Sequence, residues 1–173
     1  IGEQDDLVML PCYQWNRCVI APPDHPILKA KPLTLEAIAK YPIITYDFAF
    51  SGRGKINKAF AARGLEPNVV LTAIDADIIK TYVALGLGIG IVAYMAYDPA
   101  ADKGLRAVDA AHLFESATTR IGIRKNAWLR SYVYTFIELF APHLTREVVD
   151  KAWHLQGKTE VEALIENVEL PTY

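Results

Sequence analysis

The stretch Tyr41-Pro-Ile-Ile-Thr-Tyr-Asp-Phe-Ala-Phe-Ser-Gly-Arg-Gly54 reads as a short strand that passes through an aromatic turn into a helix. Ile43 to Tyr46 is apolar and β-branched enough for a buried strand. Ser51 stands where a helical pattern begins, and a serine there can accept one of the N–H groups that the first turn leaves unpaired. Gly52 and Gly54 leave the backbone open to a ligand, and Arg53 adds a formal positive charge. The helix dipole and the N–H groups of residues 52 to 54 favour an anion at that point. A plain helix cap without any ligand fits the same residues, so both readings stand.

Outward from this stretch the pattern repeats. Thr34 is a cap for a short helix carrying Leu35, Ile38 and Ala39, which Tyr41-Pro42 stops. The helix from Ser51 puts Ile56, Ala59, Phe60 and Arg63 near one face and ends at Gly64. Asn68 to Ala73 is a strand. Asp75 caps the next helix, with Asp77 in its first turn and an apolar stripe of Ile78, Ile79, Tyr82 and Val83. Gly86 ends that helix and Ile89 to Ala93 is a buried strand, before a helical turn near Tyr94 to Tyr97. Strands alternating with helices of about ten residues predict an α/β fold with a mostly parallel sheet between Ile43 and Ala93. Ligands in such sheets sit at the C-terminal ends of the strands, which is where the Ser51 turn lies.

On the N-terminal side, Leu7 to Leu10 and Arg17 to Ala21 read as strands with Pro11 to Asn16 as the connection between them. On the C-terminal side, Leu105 to Val108 and Thr118 to Arg124 read as strands. Leu129 to Ala141 is an amphipathic helix with Leu129, Tyr132, Val133, Phe136, Ile137 and Phe140 on one face. Thr145 caps a last helix to about Leu155, and the polar tail from Gln156 carries a short helical signal at Val161, Leu164 and Ile165.

The 173 residues suffice for one or two small domains, and 52% hydrophobic residues argue against disorder. A net charge of −2 argues against the chain being a main nucleic-acid-binding surface. No apolar run reaches the length of a membrane span, since Gly86, Gly88 and Gly90 break the longest, Val83 to Ala93. The first residue is Ile1 and a polar lead runs straight into a strand, as expected of a piece of something longer.

Catalytic chemistry is sparse. Gly86-Leu-Gly-Ile-Gly90 follows a helix and opens a strand, the reverse of a phosphate loop, so a helix terminus and close helix–sheet packing explain it. His25, His112, His143 and His154 stand far apart in sequence, and Asp75 and Asp77 fall where a helix cap is needed. Cys12 and Cys18, six apart, could form a disulfide in an oxidising compartment, but read rather as buried free thiols of a reducing one. No His or Asp stands at metal-ligand spacing beside them, so no metal is expected, and no cofactor is expected either. Tyr13, Trp15 and Asn16 form an aromatic and polar cluster, fit either for core packing or for walling a small polar ligand.

Taken together the residues resemble the effector-binding domain of LysR-type transcriptional regulators. The resemblance rests on Asp24-His25-Pro26, the Ile43 to Tyr46 strand, and Asp75-Ala-Asp-Ile-Ile-Lys80 leading to Gly86-Leu-Gly-Ile-Gly90. It is similar above all to the family's cysteine-regulon activators, through Asp6-Leu-Val-Met-Leu-Pro-Cys-Tyr13, Trp15-Asn-Arg17, Thr72-Ala73, Leu129-Arg-Ser-Tyr132 and Phe140-Ala-Pro-His-Leu-Thr-Arg146. The resemblance implies a two-lobed α/β fold like type 2 periplasmic binding proteins, with the first lobe largely missing from this chain. Residues 1–11 would end that lobe and start the crossover strand, 12–117 would form the second lobe, 118–155 would return to the first, and 156–173 would be a tail. It implies a cytoplasmic, non-enzymatic activator of sulfur-assimilation and cysteine-synthesis genes. N-acetylserine, O-acetylserine, sulfate or thiosulfate would bind in an interlobe cleft. DNA would be contacted only through a missing N-terminal helix-turn-helix, and the full-length protein would be a homo-oligomer, a tetramer, with no membrane partner. Ser51 matches the anion-contacting hydroxyl, keeping the hydroxyl of the threonine usual there and dropping a methyl; Gly52, Thr45, Phe50, Tyr13 and Trp15 match cleft-lining positions. A solute-binding protein of the same fold for a small anion is the competing reading.

Overall fold

The computed structural model describes residues 6–47, 51–125, 128–155 and 169–173, and leaves the side chains of residues 51 and 52 outside that description. The strands are β1 (Leu7–Trp15), β2 (Arg17–Ala21), β3 (Ile43–Tyr46), β4 (Val69–Ala73), β5 (Ile89–Ala93), β6 (Arg106–Asp109) and β7 (Ala117–Arg124). The helices are α1 (Leu35–Ile38), α2 (Ser51–Ala62), α3 (Ala76–Ala84), α4 (Ser131–Phe140) and α5 (Arg146–His154). Contacts divide the chain into two compact units, Trp15–Ala117 with Tyr173, and Ile1–Gln14 with Thr118–Thr172.

The first of these units is a five-stranded sheet in the order β4-β3-β5-β2-β6. β3 runs parallel to both neighbours, with Ile43 opposite Val69 and Ile89, whereas β2 runs antiparallel to β5 and β6. Because both faces are covered by helices, β2 and β5 are buried at every position and read as unbroken apolar runs. The two-residue period of a strand then sorts the side chains. Val19, Ile43, Ile89 and Ile91 meet Leu35 and Ile38 of α1 and Ile56 and Phe60 of α2. Cys18, Ile20, Ile44 and Val92 meet Ile79 and Val83 of α3 on the opposite face. Each such fully buried side chain is worth about 1.5–3 kcal/mol relative to exposure.

Local signals place the helices as expected. Thr34 Oγ1 accepts from Ala37 N at 3.2 Å and Asp75 Oδ1 from Ile78 N at 2.8 Å. Gly64 and Gly86 follow α2 and α3 with φ of 65° and 79°, a left-handed turn that glycine adopts without steric penalty. A Cβ on Gly88 would lie 2.4 Å from the Pro42 carbonyl oxygen, and one on Gly90 2.6 Å from Ile20 Cγ1. Close packing within the sheet and against α3 is therefore what the glycine run serves.

The second unit pairs β1 with β7 and packs α4 and α5 on them. Here two expectations are corrected. Pro11 to Trp15 is not a connection but part of β1. The alternation of Val8, Leu10 and Cys12 inward continues through Pro11, and β1, whose strand partner among the described residues is β7, is the kind of edge strand in which a proline is found. In α4 the buried residues are Tyr134 and Ile137, while Tyr132, Phe136, Leu139 and Phe140 are exposed. The helix is apolar on nearly every side, so periodicity alone does not choose the buried face. Residues 171–173 run beside the end of β1, where Gln14 N donates to Pro171 O at 2.9 Å. The helical signal at Val161 to Ile165 lies outside the described residues. No helix among the described residues is long and apolar enough to cross a membrane.

Candidate functional site

The N-terminus of α2 stands at the C-terminal end of β3, four residues after Asp47. The backbone that delivers it is tightly tied. Asp47 N donates to Ala73 O at 3.0 Å, and Thr72 Oγ1 donates to Asp47 Oδ2 at 3.2 Å, which anchors the outgoing chain to β4. Thr45 is fully buried and its hydroxyl donates to the Ile91 carbonyl at 3.0 Å. Its place is inside the sheet, where it fixes β3 against β5 below the turn.

Arg53 behaves differently from the free surface charge that its place in a glycine-rich turn suggests. It is 3% exposed, with Nε donating to Asn57 Oδ1 at 3.0 Å and an NH1 hydrogen bond to the Tyr46 carbonyl at 3.3 Å. Burial pulls its pKa below the ordinary arginine value and Asp47 pulls it back. The guanidinium thus clamps the first turn of α2 to the last residue of β3 while keeping its charge beside the helix start. Lys55, one residue past Gly54, is drawn the other way: its Nζ donates to the Ser116 carbonyl and lies 3.5 Å from Glu115 Oε1. With both cations engaged, an anion at this helix start would be met chiefly by backbone N–H groups and the dipole.

A second buried guanidinium was not singled out as a site residue by sequence reasoning. Arg17 is 2% exposed, donates to the Glu115 carbonyl at 2.9 Å, and has its Cζ 5.0 Å from the centre of the Trp15 ring. Burial lowers its pKa, opposed by Tyr46 and Glu115, and burial likewise raises that of the Tyr46 phenol. The available signal was a lone charge opening the wholly apolar run Cys18 to Ala21.

Of the residues matched to the cleft, Trp15, Thr45, Ser51 and Gly52 belong to the five-stranded unit. Ser51 and Gly52 are the first two residues of α2, and Phe50 lies outside the described residues. Tyr13 belongs to the other unit, where its ring centre is 5.6 Å from that of Phe140. Both cysteines are buried free thiols, and among the described residues no group of three His, Cys, Asp or Glu is placed to hold a metal. The histidines bond locally: His25 Nδ1 accepts from Ile27 N, and His112, His143 and His154 pair with the carbonyls of Leu33, Pro11 and Asp150.

The family model for the LysR substrate binding domain matches residues 1–145. The HTH-type transcriptional regulator CysB of Burkholderia cenocepacia is 54% identical over 160 residues, covering 92% of this chain and 50% of that protein. CysB of Haemophilus influenzae is 51% identical over 168 residues, 97% of this chain and 52% of that protein. SsuR of Burkholderia cenocepacia, another HTH-type transcriptional regulator, is 60% identical over 139 residues, 80% and 45% of the two chains. The chain thus spans about half the length of the curated relatives it matches. Among solved structures, the cofactor-binding domain of the Cbl transcriptional regulator superposes with a TM-score of 0.82 at 40% identity, over 89% of this chain and 68% of that one. The effector-binding domain of QuiR in complex with shikimate gives 0.69 at 17% identity, over 85% and 69%, a likeness of fold alone.

Proposed function

The chain belongs to the LysR substrate-binding-domain family, and on that premise we propose that it is the effector-sensing part of a CysB-like transcriptional activator of sulfur-assimilation and cysteine-synthesis genes. It acts by binding a small anion and carries out no reaction. The observation that carries this reading is the start of α2: a helix N-terminus at the end of a parallel strand, opened by Ser51 and Gly52 and held in place by the buried Arg53 clamp on the Tyr46 carbonyl. Sulfate or thiosulfate, or the carboxylate of N-acetylserine or its source O-acetylserine, is held by the N–H groups of residues 52 to 54 and the Ser51 hydroxyl. Trp15 shields the acyl portion, and Thr45 supports the end of β3 from within the sheet.

In the whole protein the bound anion shifts an equilibrium between regulator conformations, as any ligand that prefers one of two states must. Contact with DNA is assigned to a part of the longer regulator outside these residues, in keeping with the net charge of −2 here. Calorimetric titration of the protein with N-acetylserine and with sulfate tests the site. The two should compete, and Ser51→Ala should weaken both by about tenfold or more, the worth of a hydroxyl bonded to a charged acceptor. Unchanged affinity in Ser51→Ala would remove the site from the start of α2.

A further inference from the structure

Two residues ahead of the buried Arg17 stands Trp15, the last residue of β1. Arg17 Cζ lies 5.0 Å from the centre of the Trp15 ring, and its NH1 donates to the Glu115 carbonyl at 2.9 Å. Resting on the effector site proposed above at the start of α2, we propose that Arg17 is a positioning residue of that site: it holds the Trp15 indole in its ligand-receiving orientation and so sets the preference for an acyl-bearing anion over a bare one.

The sheet register puts the pair at the effector end. Arg17 is opposite Ala93, the last residue of β5, and β5 runs parallel to β3 with Ile43 opposite Ile89 and Ile44 opposite Gly90. β2 is antiparallel to β5, so its start lies at the same end of the sheet as the ends of β3 and β5. That is the end at which α2 opens. Both buried arginines bear on the last residue of β3: Arg53 donates to the Tyr46 carbonyl at 3.3 Å, and Arg17 acts electrostatically on the Tyr46 phenol.

Arg17 is suited to hold an indole. Only 2% exposed and bonded to a backbone carbonyl, the guanidinium is a fixed plane, and a planar delocalised cation stacks on an aromatic face as an ammonium does not. The backbone between the two side chains is pinned separately, since Tyr94 N donates to the Asn16 carbonyl at 2.9 Å. Main-chain anchoring leaves the indole its own side-chain torsions, and the guanidinium restricts them. An effector with an acyl portion then meets a ring already in place and is spared the cost of ordering it. Sulfate, held by the first turn of α2, gains nothing from the ring.

The test measures N-acetylserine and sulfate affinities by calorimetry in the protein and its variants. Arg17→Lys keeps the charge and loses the stacked plane. It should weaken N-acetylserine about fivefold, the cost of ordering one large side chain on binding, and leave sulfate unchanged. Trp15→Leu should weaken N-acetylserine at least as much, and Arg17→Lys added to it should bring no further loss, because the two side chains act as a unit. If Arg17→Lys does not fold, nuclear Overhauser contacts between the Trp15 ring and the Arg17 side chain in the unmutated protein decide. They should be present without ligand and persist when N-acetylserine is bound. A parallel loss for both ligands, no loss for either, additive effects of the two substitutions, or contacts absent before ligand arrives would overturn the proposal. Should Ser51→Ala weaken both ligands while Arg17→Lys leaves their ratio unchanged, the α2 site stands and the role of Arg17 alone fails. Should Ser51→Ala weaken neither, both fail.

Discussion

Replacing Gly88 by alanine is expected to destabilise the five-stranded unit sharply, without touching any ligand-facing group. An added Cβ would lie 2.4 Å from the Pro42 carbonyl oxygen and 2.9 Å from its carbon, both backbone atoms that cannot rotate away. Ordinary contact begins near 3.4 Å, so the chain must part by about 1 Å at this point. The same Pro42 oxygen accepts the Ile89 N–H at 2.9 Å, the bond that starts the pairing of β5 with β3. Overpacking of this kind costs about 1–3 kcal/mol, and a weakened backbone hydrogen bond adds about 0.5–1.5 kcal/mol. For a unit of roughly 100 residues, a total of about 2–4 kcal/mol lowers the midpoint by on the order of 10 °C. Thermal unfolding followed by circular dichroism measures this directly. Gly104→Ala, where nothing lies within 4 Å of the added carbon, is the control and should shift little. A Gly88→Ala midpoint within a degree or two of the parent protein would refute the packing account of the glycine run.

Two further outcomes follow from charge and burial. Lys80, with a side chain 16% exposed, bridges Asp77 at 2.9 Å and Asp102 at 3.2 Å, and Asp102 also accepts from Asp98 N. Burial alone would lower the Lys80 pKa, but the hydrogen bonds and charges of the two aspartates outweigh it and raise it. Its contribution is therefore present below the ordinary lysine value of about 10.4 and is lost as the pH rises through the raised one. Lys80→Met should reduce stability by about 1.5–3 kcal/mol at pH 7 in urea unfolding, and the gap should narrow only in strong alkali. Burial raises the Cys12 thiol and pushes Cys18 up to about 12, with Asp109 adding to the latter. Neither should react with an aromatic disulfide reagent at pH 8 until the protein is unfolded, when two thiols should appear. Rapid reaction of the folded protein would show that one of them is reachable.

The elements that sequence made legible are those with a strong local cause. α1, β3, α2, β4, α3 and β5 follow from apolar runs, caps at Thr34 and Asp75, and stops at Gly64 and Gly86, all of which act within a few residues. The misread elements depend on distant partners. Pro11 looks like a break until β7 shows that β1 belongs to a two-stranded sheet, and the buried side of α4 is chosen by packing of Tyr134 and Ile137 with Leu10 and Val149 rather than by its own period. At the site, the position of the helix start was legible, but the destination of Arg53 was not. Its bonds to Tyr46 and Asn57 turn an apparent ligand-binding charge into a clamp.

The central claim is that the first turn of α2 holds the effector anion through its backbone. Amide chemical shifts recorded by NMR during a sulfate titration test it at the atoms concerned. The account predicts saturable shifts, largest at the N–H groups of Gly52, Arg53 and Gly54, that Ser51→Ala weakens and chloride at equal ionic strength does not reproduce. Shifts that grow linearly with salt, or that centre elsewhere and leave these three amides unmoved, would contradict it.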